Sequence, residues 1–431
     1  MNIAILGYGV EGESVYNFYH AKYPEAVFTV YDNNPQPKKP LPAGVKFVGS
    51  VKDFKGITTD LAIKTPAIPP WDVQVTGEVT TMTREFIKAC PVPIIGVTGS
   101  KGKGTTASMI KSILDAAGKR AWLVGNIGIG AFDVLAQIQP HDIVVYELSS
   151  FQLWELDVSP HVAVVLGIEP EHLDVHKDLA DYIGAKANIA THQKPEDLVV
   201  YRQGNQYAEQ IALQSAAKKV TYPDVTGAHV QEKKFYYGEQ ELCSVAAVKL
   251  PGQHNRDNAC AAISAAWPWV KDGNDIERGL IAFQGLPHRL KFVGSVNDVE
   301  YYDDSIATTP GSAIAAMASF EQPKVIIIGG SDKGASYDEL VQKLVESEDS
   351  LRRVILIGGE AHKIEQLIKA AGIARYVNLG TTMTMDDIVK RAATLAQPGD
   401  VVILSPACAS FDMFRDYVDR GDQFIQAVQN L

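Results

Sequence analysis

Pro93-Ile94-Ile95-Gly96-Val97-Thr98-Gly99-Ser100-Lys101-Gly102-Lys103-Gly104-Thr105-Thr106 runs from an unbroken apolar stretch into a glycine-rich turn. It predicts a strand over 94–98, a loop, and a helix over 105–117 that Gly118 ends as the residue after the cap. Backbone N–H groups at such a helix start cradle phosphates, and Lys103 is placed to reach the outer ones. The spacing departs from the usual phosphate loop. Val97 stands at the first glycine position, and Gly104, without a hydroxyl, follows Lys103. Thr105 or Thr106 is left to face a metal ion. The competing reading is a plain glycine-rich connector. Glu147 closes a strand expected over 142–147, where a carboxylate would face this loop. A strand-end Glu is otherwise a solvated residue.

A second glycine loop lies toward the N-terminus. Gly7-Tyr8-Gly9-Val10-Glu11-Gly12 follows the apolar run Ile3-Ala4-Ile5-Leu6, and Asp32 lies 20 residues beyond Gly12. Strand, GxGxxG, helix and a later acidic residue fit a pyrophosphate-linked nucleotide whose ribose the acid binds. NAD(P) and a UDP-sugar share these features, but the first unit is short for a full dinucleotide fold. A tight turn with no ligand is the alternative. Together the two loops suggest an enzyme that spends a nucleotide triphosphate on a phosphate-bearing substrate.

Further outward, Val/Ile-rich runs at 26–32, 61–65, 121–124, 161–167, 299–303, 324–328, 353–357 and 400–404 lack alternation. That is the pattern of parallel strands covered on both faces. Residues 222–250 alternate around Gly238 and suggest a small antiparallel hairpin region. Prolines at 91, 93 and 287 mark breaks. The expected architecture is α/β in three domains: a Rossmann-like domain over 1–91, a P-loop-type ATPase domain with a mainly parallel sheet over 92–287, and a second Rossmann-like domain over 288–431. At 431 residues the chain exceeds one hydrophobic core.

The formal net charge of −11 argues against nucleic acid as a partner. Four scattered cysteines, with no paired spacing, suit a reducing cytoplasm. No leader pattern opens the chain, and no apolar run nears the roughly 20 residues that cross a bilayer, so membrane insertion is not expected.

Several strings carry a family resemblance. They are residues 98–106, Gly125-Asn126-Ile127-Gly128, Glu147-Leu148-Ser149-Ser150-Phe151-Gln152-Leu153, Glu171-His172-Leu173-Asp174, Gly252-Gln253-His254-Asn255, Gly285-Leu286-Pro287-His288-Arg289 and Ser405-Pro406-Ala407-Cys408-Ala409-Ser410. The chain resembles the ATP-dependent Mur ligases over nearly its whole length. The resemblance implies a monomeric, cytoplasmic ligase of peptidoglycan precursor synthesis using ATP and Mg²⁺. It would add D-glutamate to UDP-N-acetylmuramoyl-L-alanine through an acyl phosphate.

The same resemblance implies roles. Gly9, Val10, Glu11, Asp32, Asn33 and Thr65 would hold the uridine nucleotide, with Asn126, Ser149 and Gln152 facing the muramoyl part. Gly99, Ser100, Lys101, Gly102, Lys103, Gly104, Thr105, Asn255, Asn258, Arg289 and Asp304 would bind ATP. Thr105, Glu147, His172 and a carbamylated Lys186 would serve the metal, with Lys103, Glu147, His172 and Lys186 as the catalytic set. Thr308, Lys333, Ser410, Phe411 and Tyr417 would receive glutamate. Ile306 replaces a charged residue of the family string, which leaves L-glutamate or another amino acid open. An NAD(P)-dependent oxidoreductase and a non-catalytic nucleotide-binding module are the alternatives of another class.

Overall fold

The computed structural model describes every residue except Val10, Lys38, Asp174 and Lys333. The chain divides into two compact units. One comprises residues 1–248 and 256–283, the other residues 249–255 and 284–431.

The first unit contains two large parallel sheets. Its opening strands are β1 (Asn2–Leu6), β2 (Val27–Tyr31), β3 (Lys46–Val48), β4 (Phe54–Ile57), β5 (Leu61–Lys64), β6 (Val73–Val75) and β7 (Glu78–Thr81). Five of them pair in the order β3-β2-β1-β5-β7, while β4 and β6 form a separate two-stranded piece. Strand β1 has β2 on one side and β5 on the other, both parallel. The chain direction therefore switches at β1, and ligands in open α/β sheets bind outside strand ends at such points. Here that end carries the Gly7 loop.

The second sheet uses β8 (Ile94–Thr98), β9 (Ala121–Gly125), β10 (Ile143–Glu147), β11 (Val162–Val165), β12 (Leu198–Arg202) and β13 (Lys218–Tyr222). Their order is β13-β12-β11-β8-β10-β9. Every residue of β8, β10 and β11 is buried, which explains their unalternating apolar sequences. The switch falls at β8, whose end releases residues 99–102. Helices α1 (Gly12–Lys22), α2 (Met82–Ala89), α3 (Lys103–Ala116), α4 (Ala131–Leu135), α5 (Ser150–Leu153) and α6 (Leu179–Thr191) pack around the two sheets. Asp178 caps α6 by accepting from the Asp181 N–H. One apolar core includes Ile5, Phe86, Phe132 and Tyr146, so residues of both sheets share it. The expected hairpin region is larger than anticipated: β14 (Ala228–Gln231), β15 (Lys234–Tyr237) and β16 (Gln240–Ser244) make a three-stranded meander.

The second unit holds β17 (Lys291–Val296), β18 (Val299–Asp303), β19 (Lys324–Gly329), β20 (Leu351–Ile357), β21 (Tyr376–Gly380) and β22 (Val401–Leu404). The order is β17-β18-β22-β19-β20-β21, parallel except for the antiparallel edge strand β17. The loops after β19 and β22 touch, because the Ser331 N–H donates to the Ala409 carbonyl at 2.9 Å. Gly330 has φ +148°, and a methyl group there would overlap that same carbonyl.

Candidate functional site

The phosphate loop is wired to helix α6. Ser100 Oγ is 2.9 Å from the Tyr182 hydroxyl and also donates to the Glu169 carbonyl at 2.8 Å. Lys186 Nζ donates to the Gly99 carbonyl at 2.9 Å and lies 4.7 Å from the Tyr182 ring centroid. Lys103 Nζ, at the start of α3, donates to the carbonyls of Gly99 and Ser100 at 3.0 and 2.9 Å. Gly102 stands at φ +84°, and a Cβ there would meet Asn258 Oδ1 at 2.6 Å. Loop and Asn258 are thus in close approach. Thr105 is buried in the first turn of α3. Gly104 follows Lys103 there, while Lys101 sits outside on an exposed ion pair with Glu169 at 3.0 Å.

Lys186 is the most perturbed group of this set. Burial, then the charge of Lys103, lowers its pKa to about 7, against the weaker pull of Glu171 and Glu147. A large share of the amine is therefore neutral near neutral pH, the form that reacts with carbon dioxide. Glu147 is buried at the end of β10, in register with Val97 of β8. His172 is exposed at φ +57°, with its ring 5.2 Å from that of Phe151. Among the described residues no three His, Cys, Asp or Glu side chains converge on a metal position. Oxygen donors from Thr105 and Glu147 fit a hard cation such as Mg²⁺, which takes few protein ligands beside substrate phosphates. Lys186 fits that role only as a carbamate.

At the N-terminal loop the acids have structural partners. Asp32 is buried, accepts the Tyr8 N–H at 2.7 Å and the Asn34 N–H at 2.8 Å, and so shapes the glycine loop. Glu11 accepts the Ala131 N–H at 3.1 Å, and burial raises its carboxyl pKa. Asn33 donates to the Val51 carbonyl at 2.8 Å. The Thr65 N–H donates to the Leu6 carbonyl at 3.0 Å, beside the Gly7 turn. Gly9 has open space at its Cβ position, and Val10 lies outside the described residues. Asn126 is exposed after β9. Ser149 and Gln152 form a reciprocal capping box at the start of α5.

The second unit carries the remaining candidates. Asp304 accepts from Ser405 Oγ at 2.7 Å and from the Leu290 N–H at 3.2 Å. Burial raises its pKa to about 7, partly offset by Ser405 and the Arg289 charge. Arg289 is exposed. Asn255 is buried and donates through Nδ2 to the Pro251 carbonyl at 2.6 Å. Ser410 is buried, Phe411 is 70% exposed, and Tyr417 opens the last helix, Tyr417–Gln429. The Thr308 N–H donates to the Ile306 carbonyl at 2.8 Å. Lys333 lies outside the described residues.

Two residues besides Tyr182 escaped the sequence reading. Arg420 is fully buried and donates from Nε to Ser305 Oγ at 2.9 Å, from Nη2 to the Ser305 carbonyl at 2.8 Å, and from Nη1 to the Cys408 and Ala409 carbonyls at 3.2 and 3.3 Å. It ties the strand-end loops that hold Thr308 and Ser410. Its signal was a charge on the apolar face formed with Phe424, Ala427 and Val428. His176 is the other, buried beneath Phe151 and Trp154.

Residues 97–266 match the Mur ligase middle domain, and residues 288–408 the Mur ligase glutamate ligase domain. The chain is 33% identical to the UDP-N-acetylmuramoylalanine–D-glutamate ligase of Clostridium kluyveri, covering 100% of this chain and 96% of that protein. It is 37% identical to the protein of the same name from Acetivibrio thermocellus, over 82% of this chain and 78% of that one. In structure it is similar to the UDP-N-acetylmuramate-alanine ligase MurC of Thermotoga maritima, at 18% identity and a TM-score of 0.60, covering 100% of this chain and 99% of that one. Folylpolyglutamate synthase from Mycobacterium tuberculosis gives a TM-score of 0.59 at 15% identity, over 81% and 93%. These two likenesses concern the fold. With relatives a third identical along their length and two family domains in sequence, the chain belongs to the Mur ligase family.

Proposed function

We propose that this ligase adds D-glutamate to UDP-N-acetylmuramoyl-L-alanine at the expense of ATP, in peptidoglycan precursor synthesis. The observation that carries the reading is the wiring of Lys186, Tyr182 and Lys103 onto the loop of residues 99–102, in a chain that matches a relative of that name along essentially its whole length. Residues 1–91, 92–287 and 288–431 serve as the UDP-substrate, ATP and amino-acid segments.

In this reading the backbone N–H groups at the start of α3 hold ATP phosphates, and Lys103 leaves its carbonyl partners for the outer phosphate. Thr105, Glu147, His172 and a carbamylated Lys186 would hold Mg²⁺, which would supply neutralisation of phosphate charge. The substrate carboxylate takes the γ-phosphoryl group, giving an acyl phosphate and ADP. The glutamate amine then attacks the acyl carbon, a tetrahedral intermediate forms, and phosphate leaves. The protein contributes positioning and charge neutralisation, the latter through Lys103 and His172. Asp32 and the Gly7 loop take the uridine nucleotide, Asn255, Asn258, Arg289 and Asp304 complete the ATP contacts, and Thr308, Lys333, Ser410, Phe411 and Tyr417 receive glutamate. A reaction that spends ATP and a UDP-linked sugar fits the cytoplasm. No helix among the described residues is long and apolar enough to cross a membrane.

Phosphate release with UDP-N-acetylmuramoyl-L-alanine and ATP tests this. Release is expected with D-glutamate and not with L-glutamate. Release with L-glutamate alone would move the chain to another branch, and none with either would refute the reading.

A further inference from the structure

Three side chains without a task in this mechanism form a line of hydrogen bonds, two of them buried and Asp181 partly exposed. His176 and Ser150 are each 2% exposed. His176 Nε2 lies 3.0 Å from Ser150 Oγ, and Nδ1 lies 2.8 Å from Asp181 Oδ2. The Asp181 carboxylate also accepts from Trp154 Nε1 at 3.1 Å and from the Lys177 N–H at 3.3 Å. An ionised carboxylate only accepts, so its partner Nδ1 carries the proton. Burial lowers the His176 pKa and so favours the neutral ring, in which Nε2 is the acceptor and the Ser150 hydroxyl donates to it.

Ser, His and Asp in this order also make a hydrolytic nucleophile. Burial excludes that use here. The His176 ring stacks on Phe151 at 5.3 Å and 9°, with Trp154 at 4.3 Å and Tyr182 at 5.2 Å. No acyl carbon can approach Ser150 through this cover.

The line joins two functional turns. Ser150 sits between Ser149 and Gln152, whose capping box sets the first turn of α5. Asp181 sits in the first turn of α6, next to Tyr182, which bonds Ser100, and one turn before Lys186, which bonds Gly99. We propose that His176 is a positioning residue that locks α5 to α6, so that Ser149 and Gln152 meet the muramoyl end of the substrate at a fixed distance from the phosphate loop. The identity of that substrate rests on the ligase reading above.

Ser150→Ala and His176→Gln test the lock by steady-state kinetics. The expected result is a rise of about tenfold in KM for UDP-N-acetylmuramoyl-L-alanine, the scale of one or two lost hydrogen bonds, with kcat and the KM for ATP changed less than about threefold. Equal changes in both KM values, or no change, would overturn the proposal. Nitrogen-15 NMR of the unaltered protein gives a second test that needs no variant to fold. The His176 ring should carry its proton on Nδ1, and a proton on Nε2 alone overturns the lock. Labelling of Ser150 by a fluorophosphonate would overturn it too, by showing an accessible nucleophile. If the unaltered protein makes no product, the ligase reading fails, and the nitrogen assignment still judges the lock.

Discussion

Lys186 and Asp304 are ordinary residue types in unusual surroundings, and their chemistry follows from burial. Lys186→Ala is expected to lose at least about a hundredfold in kcat, and short carboxylic acids should restore part of it by replacing a carbamate. Unchanged turnover would remove the carbamate from the mechanism. The Asp304 pKa shifts the opposite way, and burial favours the neutral form of both residues. The folded pKa of Asp304 is about 7 against an ordinary 3.8, so the fold favours the protonated form. Its contribution to stability is complete below about pH 4, falls as pH rises, and is gone above about pH 7. Asp304→Asn cannot ionise. The melting temperature of this variant relative to the parent should therefore climb between pH 4 and pH 7 and then level off. A difference independent of pH, measured by thermal melts without nucleotide, would show that Asp304 is charged in the fold.

At the scale of elements, the strongest statement concerns the helix Tyr417–Gln429. Arg420 spans Ser305, Cys408 and Ala409 with a planar fork, its pKa lowered to about 10 chiefly by burial. Arg420→Ala leaves a hydroxyl and several carbonyls buried without that donor and opens a void. A loss of about 3 kcal/mol in denaturant stability is expected, and Arg420→Lys should recover little of it, since an ammonium cannot reach all four atoms at once. Full stability in Arg420→Lys would show that charge alone suffices. The same element shows where sequence reading stops. The strands at 94–98, 143–147 and 324–329 were legible because fully buried parallel strands leave continuous apolar runs. Strands β3, β4, β6 and β7 were not, being short and partly exposed, with little periodicity. His176 and Arg420 were missed because polar residues satisfied at long sequence separation leave no local pattern.

Taken as a whole, the molecule repeats one arrangement. Each of its three large sheets reverses direction beside a strand that ends in a glycine-bearing loop: after β1, after β8 and after β19. The glycine loops after β1 and β8 and their order were readable from sequence because their glycines follow apolar strands at fixed spacing. The partners that hold the loops, such as Tyr182 for Ser100 and Asp32 for Tyr8, required coordinates. Ile306, where a charged side chain was expected, lies beside Ser305 in the arginine-held loop. This makes amino-acid choice the informative measurement on the intact enzyme, with D- and L-glutamate compared under one set of conditions.

The crowding of Gly330 against Ala409 bears on engineering. Neither segment has slack to accommodate a foreign neighbour. A graft that imports only one of them from another ligase would jam, whatever its own merits. If the proposed glutamate contacts hold, retargeting the acceptor amino acid therefore means transplanting both stretches together, as a matched cassette.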